Sequence, residues 1–378
     1  MTRSRLVAGL AALVLMAVVV WWIGDDDEGA AAVPCRPTEI PEHDETTIVV
    51  EGDGWSGYAP FRDPTLLDGS GYTLLYVDQV CQDVRAADIT SGRADIAVTT
   101  VDQYLLNHPA GTIVGIIDQS VGADALVLGT GNHPELDSID DIPALVEARA
   151  EEGGKPRLAY TAHSPSEMLL NELANTAEEL RLSDFELVPV DQSSTAYEML
   201  EDDDVQLAIV WEPETSAARA AGHTVTLSSA DVPNSIVDVI VASDKLIERD
   251  PDAVQAVVSA FYTRMDRLLR DRAALRSFYA TDGDVAPEVA QQLIDGIQLY
   301  GTREANAFLN NEVFPLDTAL MAQSVESIES LLALIHPEMP LGRAKIDGIY
   351  VGNVALRASP PRPPAPPPDP ADEEEPEG

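Results

Sequence analysis

The sequence predicts an α/β fold built on mostly parallel sheets, on three observations. Short apolar, β-branched runs recur between residues 46 and 243. Many are separated by stretches with helical apolar spacing. The unusual residues gather directly after the strand-like runs, where open parallel sheets bind ligands.

The runs place strands at 46–52, 72–78, 95–100, 111–117, 124–130, 156–161, 185–190, 205–211, 224–229 and 235–243. Helices are expected near 83–91, 101–107, 139–150, 165–180, 194–201 and 213–221. Ser164-Pro165-Ser166-Glu167 has the form of a capping box with proline at the first helical position. Thr100-Val101-Asp102-Gln103 follows the same pattern with glutamine. Beyond residue 244 the chain reads as helical. Val254, Val257, Val258, Phe261, Met265, Leu268 and Leu269 form one stripe behind Asp250-Pro251. Val289, Leu293, Ile294 and Ile297 form a second, and Leu320 to Ile335 carry a third. Such stripes are packing faces.

The 378 residues carry 65 acidic against 23 basic side chains, a net charge of −42. That balance excludes nucleic acid as a partner, because neutralising phosphates needs a basic face. It fits a solvated surface in a salty medium, or else an acidic face turned to a basic partner.

Both ends stand apart. Arg3 and Arg5 precede 18 uncharged residues, Leu6–Ile23, and then an acidic run, Asp25 to Glu28. A helix of that length spans about 27 Å, close to a bilayer core. Trp21 and Trp22 sit where an interfacial belt falls. Residues 1–24 therefore read as an N-terminal transmembrane helix with everything after it outside the cytoplasm. A cleaved signal ending near Ala30-Ala31-Ala32 is the alternative. A linker over 25–45 follows. At the other end, residues 353–378 are proline-rich and then acidic, a composition that cannot bury a core. The two cysteines, Cys35 and Cys81, form a disulfide in an oxidising compartment or remain two thiols.

Candidate ligand-binding residues follow from position. Trp55 and Tyr58 lie in Gly54-Trp55-Ser56-Gly57-Tyr58 after the first strand. Thr99 and Thr100 end the third. Asp118 and Ser120 follow the fourth; His163, Ser164 and Ser166 follow the sixth; Trp211 and Glu212 end the eighth. Aromatics, hydroxyls and helix starts together suit a small polar organic molecule. A large aromatic on a glycine-rich turn needs a cover, and a ligand is one. No GxSxG, no phosphate loop with a lysine and no metal-ligand spacing occurs, so neither catalysis nor a cofactor or metal is expected.

Six segments in order carry a family likeness: Val50–Pro60, Ile89–Ala97, Ser138–Ile142, Tyr160–Leu170, Val205–Pro213 and Asp238–Pro251. Together they resemble solute-binding proteins of ABC importers, of the nitrate/sulfonate/taurine/thiamine-precursor type. The Gly-Lys-Lys that usually follows the third segment is absent. The resemblance implies a type II periplasmic-binding-protein fold, with two α/β lobes around a central cleft and a helical C-terminal region. Lobe one would comprise 46–130 and 232–352, and lobe two 131–231. The implied partners are a small organic ligand, an ABC permease in the inner membrane, and the membrane itself through the N-terminal helix. Two rivals have the same fold: an enzyme of cofactor biosynthesis, and a membrane-tethered sensor or scaffold. Because Glu212, Asp118 and Asp102 fall near the expected cleft and Arg62 is the basic candidate, a neutral, zwitterionic or amine-bearing ligand is expected over an inorganic anion.

Overall fold

All ten expected strands form, each within a few residues of its expected ends. The structure is a computed structural model describing residues 36–131, 138–176, 180–232, 235–310 and 341–358, with 325, 328, 329 and 332. In chain order the strands are β1 (Thr47–Gly52), β2 (Thr73–Asp78), β3 (Ile96–Thr100), β4 (Gly111–Ser120), β5 (Ala125–Leu128), β6 (Arg157–Thr161), β7 (Glu186–Val190), β8 (Leu207–Val210), β9 (Thr224–Ser228), β10 (Val237–Ser243) and β11 (Ile297–Leu299). The helices are α1 (Ala59–Arg62), α2 (Gln82–Ser91), α3 (Val101–Asn107), α4 (Ile142–Glu151), α5 (Ser166–Thr176), α6 (Ser193–Glu201), α7 (Glu214–Ala221), α8 (Asp244–Arg249), α9 (Pro251–Arg270), α10 (Arg272–Asp282), α11 (Pro287–Asp295), α12 (Thr302–Asn310) and α13 (Ile349–Ala358).

The strands make two sheets. The first runs β11-β4-β10-β3-β1-β2 and the second β7-β6-β8-β5-β9. Neither is mostly parallel, as the apolar runs suggested. β1 pairs β2 and β3 in parallel, and β6 does the same with β7 and β8. Every pairing of β4, β10 and β11, or of β5 and β9, is antiparallel. Strands buried on both faces read as continuous apolar runs whichever way they point, so the pattern could not distinguish direction. β11 is a further departure. Ile297 closes the second helical stripe in the sequence, but the helix stops at Asp295, ahead of Gly296, and Ile297 pairs with Ser120.

The chain crosses between the sheets twice, from Ser120 to Ala125 and from Ser228 to Val237. The first crossing lies ahead of the lobe boundary expected at 130/131, because β5 pairs with β8 and β9 and so belongs to the second sheet. Serines fasten the crossings together. Ser120 Oγ lies 2.6 Å from Ser229 Oγ, which accepts from Gly122 N at 2.8 Å, and Ser229 N donates to Asp124 O at 2.9 Å.

Period-two alternation explains the second lobe. Leu126, Leu128, Leu207 and Ile209 turn to one face and pack with Ile142, Leu145, Leu169 and Leu173 of α4 and α5. Ala125, Val127, Ala208 and Val210 turn to the other, against Ala196, Leu200 and Ala218 of α6 and α7. Each fully buried leucine there contributes about 1.5–3 kcal/mol.

In the first lobe α9 follows the stripe read from the sequence. Asp250 caps it by accepting from Ala253 N at 3.1 Å, Pro251 opens it, and Val254, Val257, Val258, Phe261, Met265 and Leu268 are buried. Phe61 of α1 stacks on Phe261 with centroids 5.0 Å apart. α13 runs past the 352/353 boundary expected for the tail, and Val351 and Val354 are buried.

Residues 1–35, 311–324 and 359–378 lie outside the described residues, and with them the expected transmembrane helix, Cys35, part of the third stripe and most of the tail. Among the described residues no helix is long and apolar enough to cross a membrane. Cys81 is disulfide-bonded. The expected linker is described from Arg36 onward; it has no regular secondary structure, and Thr38 Oγ1 donates to Asp78 O at 2.9 Å.

Candidate functional site

The turn after β1 is held on every side. Asp53 Oδ1 accepts from Trp55 N at 2.9 Å, an Asx turn. Arg62 donates to Asp53 O at 3.0 Å and Trp55 O at 2.9 Å, while its Nε donates to Asp282 at 2.9 Å. Tyr76 OH donates to Asp53 O at 2.6 Å. So Trp55 is not on a loose turn. It is 5% exposed, and its Nε1 donates to Asp118 Oδ2 at 3.3 Å. Gly57 is needed for this approach: a Cβ there would meet Asp118 Oδ2 at 1.9 Å and Trp55 Nε1 at 2.4 Å.

A small cavity of about 20 Å³ lies between the lobes. The first lobe supplies Asp53, Trp55, Tyr58, Gln82, Thr100 and Asp238. The second supplies Pro165 and Trp211, and the crossings supply Asp124 and Ile236. Ser56 Oγ donates to Glu212 O at 3.2 Å, joining the two sides beside the tryptophans. Trp211, 7% exposed, is anchored by its backbone N–H, which donates to Ser193 Oγ at 3.0 Å.

Four residues expected at the site therefore meet in one cavity: Trp55, Tyr58, Thr100 and Trp211. Thr100 does not cap α3 with its side chain as expected; the Asp102 carboxyl takes side-chain bonds from Thr100 and Gln103 instead.

The other expected residues have structural posts. Thr99 Oγ1 donates to Gln82 Oε1 at 2.6 Å, positioning a residue of the lining. Asp118 sits behind Trp55. Ser120 belongs to the crossings. Ser164 Oγ donates to Thr161 O at 2.8 Å and accepts from Ser166 N at 3.2 Å. His163 is exposed, and its backbone N–H donates to Glu167 Oε1 at 3.0 Å. Ser166 is buried at the start of α5 and is not among the lining. Glu212 turns toward α7, accepting from Ser216 N at 3.0 Å and Ser216 Oγ at 2.8 Å. Arg62 binds the turn and Asp282.

Asp53, Gln82, Asp124, Pro165, Ile236 and Asp238 are lining residues that sequence reasoning missed. Three of the six are acids, and their surroundings are acidic too. Asp238 faces Asp118 across β10 and β4. Burial pushes Asp118 up to about 7, against the pull of the Trp55 bond. Burial and the neighbouring Asp118 hold Asp238 well above the carboxylate range, although it accepts a bond from Tyr58 OH. Burial raises Asp124 to about 7, helped by the charges of Asp102, Glu212 and Asp53. Glu212 is likewise raised by burial to about 7. Asp53 alone has a full counter-ion. Arg85 donates to its Oδ2 at 2.6 Å and to Val80 O at 3.1 Å, and also bonds Val98 O. Among the described residues no group of three or more His, Cys, Asp or Glu is placed to hold a metal ion.

Two sheet-centred lobes joined by two crossings, with a cavity lined from both, define a periplasmic-binding-protein fold. The chain belongs to the NMT1/THI5-like family, whose model matches residues 81–269, half of its length. Solved structures share the fold. The ligand-binding component of an ABC-type import system from Staphylococcus aureus, with zinc bound, is 16% identical over 82% of this chain and 99% of its own, at a TM-score of 0.61. The periplasmic aliphatic sulphonate-binding protein SsuA from Escherichia coli is 15% identical over 81% and 97%, at 0.55. The desulfurization enzyme DSZB is 14% identical over 83% and 100%, at 0.57, so the fold is compatible with catalysis as well as with binding. No curated protein matches this chain in sequence.

Proposed function

We propose that this chain is the extracytoplasmic solute-binding component of an ABC importer, closing its two lobes around a small organic ligand. The observation that carries the reading is the cavity between Trp55 of one lobe and Trp211 of the other, beside the Ser56–Glu212 bond. A ligand touching both walls is bound only when the lobes close, so affinity and the signal to a permease become one event. Importer components among the structural relatives support the same reading. Leu6–Ile23 would tether the protein to the membrane beside that permease.

Thermal-shift screening of small metabolites tests the binding reading. A true ligand should raise the melting temperature, and Trp55→Ala and Trp211→Ala should each weaken it by roughly tenfold to a hundredfold, as loss of an aromatic wall does. A ligand indifferent to both substitutions sinks it. Mass spectrometry of the same incubations should find the ligand unchanged; a new product would make the protein an enzyme of this fold. For the tether, the mature protein should retain Leu6–Ile23 and stay with membranes after carbonate washing. An N-terminus shortly after Ala32 removes that part alone.

A further inference from the structure

The geometry points to a primary ammonium, carried on a small organic skeleton, as the group that the interlobe cavity recognises; the inference rests on the binding reading above and names its ligand class.

The argument begins with what the lining lacks. No Lys, Arg or His is among the residues around the cavity, whereas three carboxyl groups are. Asp53 is satisfied by Arg85. Asp124 and Asp238 have no ion pair among the described residues. An anionic ligand would find no cationic side chain in the lining to hold it.

The second observation is independent of charge. Asp124 Oδ2 is buried and without a hydrogen-bond partner, in a residue 4% exposed, whereas Asp238 is paired with the Asp118 carboxyl and Thr100 with that of Asp102. A buried acceptor is rarely left unpaired, so this oxygen calls for a donor. An ammonium group offers three N–H donors and no acceptor. A quaternary ammonium offers none, and a sulfonate brings only further acceptors. The walls agree with this. Trp55 and Trp211 present indole surfaces, to which a cation is attracted. A bare metal ion fits poorly, because no three acidic or imidazole side chains converge on one point among the described residues.

The test is isothermal titration of the wild-type protein with matched probes. Short alkyl and arylalkyl skeletons are each presented as primary amine, trimethylammonium, alcohol and sulfonate, with zinc chloride as a separate arm. At least one amine should bind roughly tenfold or more tightly than the other three forms of its own skeleton. Asp124→Asn should erase most of that preference. Asp124→Asn also removes a buried acid, so a melting temperature at least equal to that of wild type at pH 8 certifies that the variant is folded. The inference is overturned if an alcohol, trimethylammonium or sulfonate outranks its amine, if zinc alone binds, or if no amine binds at millimolar concentration. Trp55→Ala separates the two levels. Sulfonate binding that this substitution abolishes keeps the cleft and discards the ammonium. Amine binding that it leaves untouched discards the cleft.

Discussion

Replacing Arg85 by methionine should lower the stability of the protein by about 3–5 kcal/mol, the usual loss when one partner of a buried pair is removed. Arg85 is among the largest fully buried side chains, and its guanidinium meets Asp53 Oδ2 at 2.6 Å with side-chain exposures of 1% and 9%. The substitution leaves Asp53 charged in a pocket that already holds Asp124 and Asp238. It also strips a donor from Val80 O and Val98 O. Asp53 holds the Trp55 N–H, so the aromatic wall should loosen and ligand binding fall with stability. Urea unfolding at neutral pH measures the loss. Adding Asp53→Asn to Arg85→Met should recover a large part of it, because the stranded charge is gone. A midpoint for Arg85→Met equal to that of wild type, or no recovery in the double variant, refutes this account of the ion pair.

Much of the fold was legible because it is written in period and punctuation. Every expected strand formed, and Asp250-Pro251 opened a helix whose apolar stripe is buried. Strand direction was not legible, since Val237–Ser243 is buried throughout and reads alike in either sense. That gap hid part of the site. In a parallel sheet only the carboxyl ends of strands reach the ligand, and the expected site residues all lie at such ends. β10 runs against β3 and β4, so its first residues lie beside their last ones: Asp238 pairs with both Thr100 and Asp118. A signal was present all the same. Asp124 and Asp238 are lone acids in apolar runs, Ala123-Asp124-Ala125 and Val237-Asp238-Val239. A charge there needs a partner or a purpose. Trp55 and Trp211 were found because a large aromatic at a strand end is rarer than a hydroxyl. Ser164 and Ser120 show the converse, as hydroxyls at element ends satisfied backbone or neighbouring serines.

The melting temperature should fall by roughly 5–10 °C between pH 5 and pH 8, the reverse of the usual rise away from acid. Burial lifts Asp118, Asp124 and Glu212 to about 7, and lifts Glu51, beside Asp88, to about 8; Asp238 is raised further. Unfolded, all five titrate near 4. From pH 4 to about 8 the folded chain therefore holds more protons than the unfolded one. Stability then declines as pH rises, being fully present below the unfolded value and lost through the folded one. Asp63 works in the opposite sense. Burial opposes its ionisation, but bonds from Thr65 and Arg264 outweigh this and bring it to about 2, so its contribution is lost only in stronger acid. The net charge of −42 adds a surface repulsion that also grows with pH, and salt separates the two. At molar ionic strength the Debye length is about 3 Å, so repulsion across the surface is screened while the buried acids are not. The decline should therefore persist at high salt, and Asp118→Asn or Asp124→Asn should flatten it. A melting temperature that is level or rising from pH 5 to 8 at high salt would show that these carboxyls stay ionised in the folded protein, and would remove the acidic cavity's preference for protons in the absence of a cation.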